Sequence, residues 1–224
     1  LREPPAAPQV AAHNFRFSED YDLYPSGAKT KYKNNVMAIK LLKQIELEKR
    51  TATPEEQIIL ARYVGWGGLA NAFSSTASGW ENEYQELKSL LTDVEYKAAM
   101  NSTITAYYTE PDLIRHIYRA LERFGFEGGP DRKILDPGMG TGNFYSVLPE
   151  QFQESKLFGV ELDSITGRIA KQLYPDADIS IMGYEATKFE DNSFDVILGN
   201  IPFNSVKIYD RRYNDLNPYI HDYF

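Results

Sequence analysis

The feature that most constrains this chain is a glycine-rich turn, Asp136-Pro137-Gly138-Met139-Gly140-Thr141-Gly142, directly after the apolar pair Ile134-Leu135. Glycine adopts positive φ and carries no Cβ, so three alternating glycines let the backbone approach a bound molecule closely. The next stretch, Asn143 to Gln153, is predicted to begin a helix whose free N–H groups face the same point. The pattern predicts a nucleotide-type pocket at the end of a buried strand.

The spacing of the glycines excludes two common phosphate-binding loops. The dinucleotide fingerprint Gly-x-Gly-x-x-Gly fails in both registers, because its third glycine would fall on Asn143 or Tyr145. A P-loop would need Lys followed by Ser or Thr after Gly142, and neither is present. The remaining pattern is Asp-x-Gly-x-Gly-x-Gly, for which the alternative is a plain strand-turn-helix with glycines used for packing.

This pattern resembles the first motif of class I S-adenosylmethionine-dependent methyltransferases. The resemblance implies a Rossmann-like α/β sheet and S-adenosylmethionine as cofactor. It also implies that the cofactor is contacted by the residues of the turn that match the motif, namely Asp136, Gly138, Gly140 and Gly142.

A second predicted strand, Lys156 to Val160, ends at Glu161, about 20 residues past the last glycine, where doubly wound folds place a carboxylate on ribose hydroxyls. Glu161 is therefore predicted to bind ribose, although an acidic residue before a helix can instead act as a cap. Asp163 is predicted to cap the helix Ser164 to Leu173. Two more apolar runs, Asp178 to Met182 and Phe194 to Gly199, complete the pattern of a parallel sheet with a crevice at its carboxyl end.

Asn200-Ile201-Pro202-Phe203 follows the fourth predicted strand and resembles the Asn-Pro-Pro-aromatic motif of methyltransferases that modify a planar amino nitrogen. The resemblance implies that the Asn200 side-chain oxygen and the next carbonyl accept the amino hydrogens. It implies further that Pro202 fixes the loop and that Phe203 stacks on the acceptor. The family's first proline is Ile201 here, so the loop is less constrained, and a simple strand exit is the alternative.

Tyr108-Thr109, upstream of the turn, resembles the aromatic-Thr-Pro segment of gamma-type adenine-N6 DNA methyltransferases, and the resemblance implies that both residues contact the cofactor. Thr109 is also predicted to cap a helix from Pro111 to Phe124, with Asp112 completing a capping box. The resemblance also implies that the acid that contacts the cofactor's adenine is Glu185, with Asp191 as the alternative.

The chain divides into three predicted parts: a Pro-rich linker or disordered tail at 1–14, a helical region at 15–104, and the methyltransferase core at 105–224. The helical region contains a helix from Asn34 to Arg50, with Val36, Ile39, Leu41 or Leu42, Ile45 and Leu47 near one face, and a second helix capped at Thr53. The Gly65-Trp66-Gly67-Gly68 turn either packs or lines the pocket.

Only four of the seven strands of a complete methyltransferase sheet are predicted, so the core is expected to be incomplete at its C-terminal end. The order of segments resembles large proteins of mobile elements and phage, in which a methylase-like region precedes a helicase region on the same full-length chain. This resemblance implies DNA as partner and restriction-modification as the setting.

Composition narrows the classes of protein and site. No apolar run approaches the length of a membrane span, and the three histidines show no ligand spacing, so neither membrane nor metal is expected. The absence of cysteine excludes disulfides and agrees with a cytoplasmic setting. A net charge of −8 argues against strong DNA binding by this chain alone, which places a target-recognition region in sequence outside it.

Three functions remain open at this point. The first is methylation of adenine N6 in DNA. The second is the same chemistry on RNA adenine or on a protein glutamine. The third is a catalytically inert module that keeps the fold for binding, which Ile201 favours.

Overall fold

The computed structural model describes residues 13–104, 109–201, 207–213, 215 and 219. Its centre is a four-stranded parallel sheet in the order β3-β2-β1-β4, formed by β1 (Lys133–Asp136), β2 (Lys156–Glu161), β3 (Asp178–Ile181) and β4 (Val196–Ile197). The predicted Rossmann-like α/β sheet is therefore confirmed. All four carboxyl ends lie along one edge, because parallel strands share a direction.

The fourth strand is shorter than the predicted run from Phe194 to Gly199. It pairs with β1 through Val196 and Ile197, which lie opposite Ile134 and Leu135. Backbone hydrogen bonds extend the contact by one residue on each side, from Asp195 N to Lys133 O (3.0 Å) and from Leu198 N to Leu135 O (2.9 Å).

Seven α-helices are found among the described residues. They are α1 (Ala28–Leu47), α2 (Pro54–Ala61), α3 (Glu81–Leu90), α4 (Asp93–Asn101), α5 (Pro111–Arg123), α6 (Asn143–Ser146) and α7 (Ser164–Leu173). Short 3-10 turns lie at Glu19–Tyr21, Ala70–Phe73, Ser102–Ile104, Glu150–Phe152 and Tyr184–Ala186. Helices α1 to α4 form the helical region that the sequence predicted before the sheet.

The buried face of α1 agrees with the predicted stripe except at its end. Val36, Ile39, Leu42 and Ile45 are all buried. Leu47 is 83% exposed, so its place in the stripe was wrong. The reason is geometric, since two residues of α-helix rotate the side chain by about 200° from Ile45, onto the opposite face.

Two of the three predicted helix caps are present. Thr53 and Glu56 form a reciprocal capping box at the start of α2, and the Asp163 carboxylate accepts the Thr166 N–H at 2.8 Å at the start of α7. The helix α5 begins at Pro111 as predicted, but the predicted Thr109 cap is wrong, because Glu110 occupies the N-cap position and makes no side-chain capping bond. Glu110 separates Thr109 from the proline that starts the helix, which moves the cap out of its reach.

The helical region and the sheet share one hydrophobic core, and α2 packs directly on α7. Polar contacts tie the two together: Phe15 N donates to Leu173 O at 2.7 Å, and Gln57 Nε2 donates to His13 O and to Gln172 O, each at 2.9 Å. The helical region therefore covers the α7 side of the sheet.

An ion cluster strengthens the same junction. The Glu95 carboxylate of α4 meets Lys43 of α1 at 3.0 Å and Arg168 of α7 at 2.9 Å, and Arg168 also meets Glu46 at 2.8 Å. Burial alone would raise the pKa of Glu95, but hydrogen bonds from Thr92 and the two cations together lower that pKa to about 2. Glu95 therefore stays ionised and connects three helices.

The Gly65–Gly68 turn buries its tryptophan. Trp66 is 1% exposed, and the ring of Phe73 meets it edge-on with centroids 5.2 Å apart. Gly65 and Gly68 have φ of +67° and +74°, which other residues rarely adopt. Trp66 therefore packs in the core, which is one of the two alternatives for this segment. Gly67 and Gly68 line a cavity that is described below.

Candidate cofactor and acceptor site

The glycine-rich turn leaves β1 at Asp136 and folds back over the end of β2. Gly138 N donates to the Asp136 Oδ1 at 3.2 Å, and Met139 N donates to Val160 O at 3.0 Å. Gly140 and Gly142 have φ of +57° and +86°, a backbone conformation that favours glycine. The turn is held in shape by these bonds, and it lies at the carboxyl edge of the sheet as predicted.

One of the three glycines serves packing as well as conformation. A Cβ on Gly142 would lie 2.3 Å from the ring of Tyr174, a buried residue after α7. The close neighbour of Gly142 is therefore the Tyr174 side chain of the protein itself. The predicted cofactor contact of Gly142 stays a prediction, and the same glycine also makes room for the Tyr174 ring.

The helix after the turn is also shorter than predicted. It covers only Asn143–Ser146 instead of continuing to Gln153, and a 3-10 turn at Glu150–Phe152 follows it. Pro149 separates the two, since a proline at that point cannot donate the next helical hydrogen bond. A single turn of helix makes a weak anion site, so the backbone N–H groups of the loop itself are the available donors.

Glu161 is brought directly against the glycine-rich turn. Its Oε2 accepts the Gly140 N–H at 2.9 Å, and its Oε1 accepts the Asp163 N–H at 2.7 Å. Each carboxylate oxygen keeps a second lone pair for a hydroxyl donor. The structure thus places the predicted ribose ligand and the predicted cofactor loop in one site.

Burial perturbs both carboxylates of the site. Desolvation raises the pKa of Asp136 to about 7, with a further contribution from the negative charge of Glu161. Desolvation likewise raises the pKa of Glu161 to about 7, and backbone N–H donors only partly offset it. A ligand that supplies hydroxyl donors or positive charge favours the ionised form of these groups.

The segment before α5 contributes one described site residue. Tyr108 lies outside the described residues. Thr109 accepts a hydrogen bond at its carbonyl from Asn143 Nδ2 at 3.2 Å, while its buried Oγ1 has no hydrogen-bond partner among the described residues. Thr109 therefore lies next to the glycine-rich turn and does not cap α5. Its hydroxyl remains available to contact a ligand.

Asn200 lies at the same edge of the sheet. It is exposed and directly follows Gly199, whose Cβ, if present, would be 2.4 Å from Asp136 Oδ1. Pro202 and Phe203 lie outside the described residues. Glu185 lies in the 3-10 turn after β3, with its carboxylate folded back over Gly183.

Asn143 is a site residue that the sequence reasoning missed. Its Nδ2 donates to Tyr24 Oη at 3.0 Å as well as to Thr109, and its Oδ1 accepts from Thr141 Oγ1 at 3.4 Å. The only signal for Asn143 was its place directly after the last glycine. Tyr24 had no signal, since it lies 119 residues away in sequence.

A cavity of about 670 Å³ opens beside this junction. Its walls come from the N-terminal segment, the Gly65–Gly68 turn and the start of α5, and they include Phe17, Tyr24, Lys31, Gly68 and Glu110. Among the described residues, no group of His, Cys, Asp and Glu is arranged to hold a metal ion, and no helix has the length and apolarity of a membrane crossing.

Comparison with known proteins finds a family match in the sheet region. Residues 134–213 match the family described as "Methyltransferase domain". "Defense against restriction protein B" of Escherichia phage P1 is 26% identical over 171 residues, which are 75% of this chain and 6% of that protein. "Modification methylase CviBIII" of Paramecium bursaria Chlorella virus NC1A is 32% identical over 78 residues, which are 35% of this chain and 21% of that protein.

The chain therefore spans no more than about a fifth of the length of these two relatives. Among solved structures, a TehB-like SAM-dependent methyltransferase from Corynebacterium glutamicum ATCC 13032 shows 24% identity and a TM-score of 0.27. The match covers 40% of this chain and 54% of that one.

The site fits S-adenosylmethionine. Glu161 offers two oxygens to ribose hydroxyls, and the desolvated carboxylates of Asp136 and Glu161 suit a ligand that carries positive charge. Residues 134–213 thus match a methyltransferase domain, and the residues at the carboxyl edge of the sheet fit S-adenosylmethionine as its cofactor.

Proposed function

We propose that this chain is the catalytic part of an enzyme that methylates the N6 amino group of adenine in DNA. The observation that carries the proposal is the place of Asn200, exposed at the carboxyl end of β4 and one residue from the contact between Gly199 and Asp136. An acceptor held by Asn200 would lie at the same edge of the sheet as the glycine-rich turn.

Asn200 is proposed to make the exocyclic amine a better nucleophile by accepting its hydrogen bonds. The lone pair of such a nitrogen is delocalised into its ring, so it attacks slowly unless its hydrogens are held out of the ring plane. The Asn200 side-chain oxygen and the carbonyl of Ile201 are the two acceptors that do this in the proposed complex. Phe203 is proposed to stack on the base.

The remaining site residues position the methyl donor. Glu161 is proposed to accept hydrogen bonds from the ribose hydroxyls, and Gly138 and Gly140 to let the backbone lie close to the cofactor. Tyr108, Thr109, Asp136, Gly142 and Glu185 are proposed to complete the pocket by contact or by support. The bound cofactor supplies an electrophilic methyl group on sulfur, so catalysis rests on positioning more than on a strong base.

DNA is favoured as the acceptor by the relatives. One is named a modification methylase and the other a protein of defence against restriction, and both names fit modification of DNA within a restriction-modification setting. RNA adenine or a protein glutamine offers similar chemistry without that support. Because the net charge is −8, we propose that a target-recognition region elsewhere in the full-length protein supplies most of the DNA affinity.

The first experiment measures cofactor binding. Calorimetric titration of S-adenosylmethionine into the wild-type chain is expected to show one site, which Glu161→Ala removes. Glu154→Ala, an exposed glutamate outside the site, is the matched control and is expected to bind normally. Binding unchanged by Glu161→Ala would contradict the assignment of the pocket.

The second experiment measures transfer. Mass spectrometry of nucleosides from DNA incubated with the chain and cofactor is expected to show N6-methyladenine, reduced on the order of 100-fold by Asn200→Ala. Asn101→Ala, at the exposed end of α4, is the control. Methylation of RNA or of a glutamine peptide in preference to DNA would refute the proposed acceptor.

Ile201 raises the alternative of an inert binding module, because the family motif has proline there. Ile201→Pro separates the two cases. Increased methylation indicates an enzyme whose loop is underconstrained. No methylation by either form, with cofactor bound to both, indicates a binding module.

A further inference from the structure

The N-terminal segment, residues 13–24, passes along the ends of the helices that follow the glycine-rich turn and β2. Phe17 N donates to the carbonyl of Ser146, the last residue of α6, at 2.9 Å. Phe15 N donates to the carbonyl of Leu173, the last residue of α7, at 2.7 Å. Because the last carbonyls of a helix have no partner within it, the N-terminal segment supplies the missing donors at both helix ends.

The same segment reaches the glycine-rich turn through Tyr24. The Tyr24 hydroxyl accepts a hydrogen bond from Asn143 Nδ2 at 3.0 Å, and Asn143 directly follows the last glycine of the turn. Asn143 Nδ2 also donates to the Thr109 carbonyl at 3.2 Å, and Asn143 Oδ1 accepts from Thr141 Oγ1 at 3.4 Å. One amide side chain thus joins the N-terminal segment, the segment before α5 and the turn.

The two halves of the turn are held from different sides. The end of β2 holds the first half, since Met139 N donates to Val160 O at 3.0 Å and Gly140 N donates to Glu161 Oε2 at 2.9 Å. The second half continues into α6, which has only four residues and is too short to be stable by itself. The Asn143 side chain, held by Tyr24, therefore supports the second half from outside the turn.

Tyr24 is suited to hold Asn143 at neutral pH. Burial raises the pKa of Tyr24 to about 12, and the negative charge of Glu110 adds to this effect. The hydroxyl therefore stays neutral, and its oxygen accepts the amide hydrogen while its own proton is free to be donated elsewhere. Because Tyr24 is 40% exposed, water competes for the hydroxyl, and the bond contributes no more than an ordinary hydrogen bond within a protein.

We propose that the N-terminal segment holds the glycine-rich turn in its cofactor-binding conformation, and that Tyr24 and Asn143 are positioning residues for S-adenosylmethionine; this rests on the cofactor site of the function proposed above. Both residues act through the turn and not by contact with the methyl group. A cofactor that meets a turn already in shape loses less affinity to ordering of that turn. The N-terminal segment, which lies outside the matched residues 134–213, is then part of the methyl-donor site.

Hydrogen exchange of single amides, followed by NMR on the whole chain without cofactor, tests the support of the turn. Tyr24→Phe keeps the ring and removes the oxygen that accepts from Asn143. It is expected to raise exchange of the Gly142 and Tyr145 amides, whose hydrogen bonds close the end of the turn, about 5-fold. Exchange of the β1 and β2 amides is expected to stay unchanged, whereas a general loss of stability would raise it as well. The matched control is Tyr21→Phe, the same substitution in the same segment, at a ring that packs on Phe15 with centroids 5.9 Å apart.

Calorimetric titration of S-adenosylmethionine measures the consequence for the cofactor. Tyr24→Phe and Asn143→Ala are each expected to weaken binding about 5-fold, and Tyr21→Phe is expected to bind as wild type does. Because Tyr24 acts through Asn143, adding Tyr24→Phe to Asn143→Ala is expected to change the affinity by less than about 2-fold. Independent effects would instead multiply to about 25-fold.

Independent effects of the two substitutions would overturn the proposal, as would exchange of the turn that Tyr24→Phe leaves unchanged or raises no more than exchange of the strands. If Asn143→Ala fails to fold by circular dichroism, Tyr24→Phe, which keeps the ring, carries the test. A wild-type chain that binds no cofactor contradicts this proposal and the proposed function alike. Cofactor binding without methylation contradicts the proposed function alone, and wild-type affinity in Tyr24→Phe contradicts this proposal alone.

Discussion

Replacing Asp136 by Asn should stabilise the cofactor-free chain at neutral pH. Asp136 is 1% exposed, and desolvation raises its pKa from the ordinary 3.8 to about 7. An ionised Asp136 therefore destabilises the folded state above pH 7. Asparagine has nearly the same shape, keeps an oxygen for the Gly138 N–H, and carries no charge.

The magnitude follows from the two pKa values. Between pH 3.8 and 7 the folded chain binds a proton on Asp136 that the unfolded chain has released, so stability falls as pH rises. Each pH unit in that interval is worth about 1.4 kcal/mol, which gives about 4 kcal/mol in total. Of this, about 3 kcal/mol lies between pH 5 and 7.

Urea denaturation of wild type and Asp136→Asn at several pH values from 5 to 8, without cofactor, measures the effect. The difference in unfolding free energy is expected to shift in favour of the variant by about 3 kcal/mol and to level off above pH 7. Asp195→Asn is the control. The Lys133 N–H and then Arg132 lower the pKa of Asp195, so its titration lies below this range and its difference should be flat. A flat difference for Asp136→Asn would refute the reasoning.

Three further predictions concern the site and the junction. Burial raises the pKa of Glu161 to about 7, and the ribose hydroxyls need its ionised form, so cofactor binding is expected to be about 10-fold weaker at pH 6 than at pH 8. Equal affinity at the two pH values in calorimetry would count against Glu161 as the ribose ligand. Gly142→Ala should destabilise the chain by at least about 2 kcal/mol, because φ is +86° and the new Cβ would clash with Tyr174. An unchanged midpoint in thermal or urea unfolding would contradict that contact. Glu95→Ala should lower the unfolding free energy by about 2 kcal/mol, less than for a fully buried ion cluster because Lys43 and Arg168 are partly exposed. A loss near zero in urea unfolding would show that the cluster does not stabilise the chain.

Local signals were read correctly from the sequence where one segment decides its own structure. The strand before the glycine-rich turn, the capping box at Thr53 and the cap at Asp163 each depend on residues within a few positions of one another. The wrong prediction at Thr109 also depends on residues within a few positions of one another. Thr109 has the right residue type for a cap, but Glu110 lies between it and Pro111, the first residue of α5, and takes the N-cap position.

The sequence by itself determined the order of the strands along the chain, the positive-φ glycines after β1, and the carboxylate at the end of β2. These follow from apolar runs, from the conformational range of glycine and from spacing, all of which are properties of short segments. The meeting of Glu161 with Gly140 could also be expected, since parallel strands end at one edge.

Only the tertiary structure decided which distant residues share the site. Asn143 holds Tyr24 across 119 residues, Tyr174 fills the space beside Gly142, and Lys31 and Glu110 face one cavity from separate segments. No periodicity or motif encodes such pairs, because they depend on how the helical region packs on α7 and thereby brings the N-terminal segment beside the glycine-rich turn. Burial then sets the pKa values of Asp136 and Glu161, which neither residue type nor spacing contains.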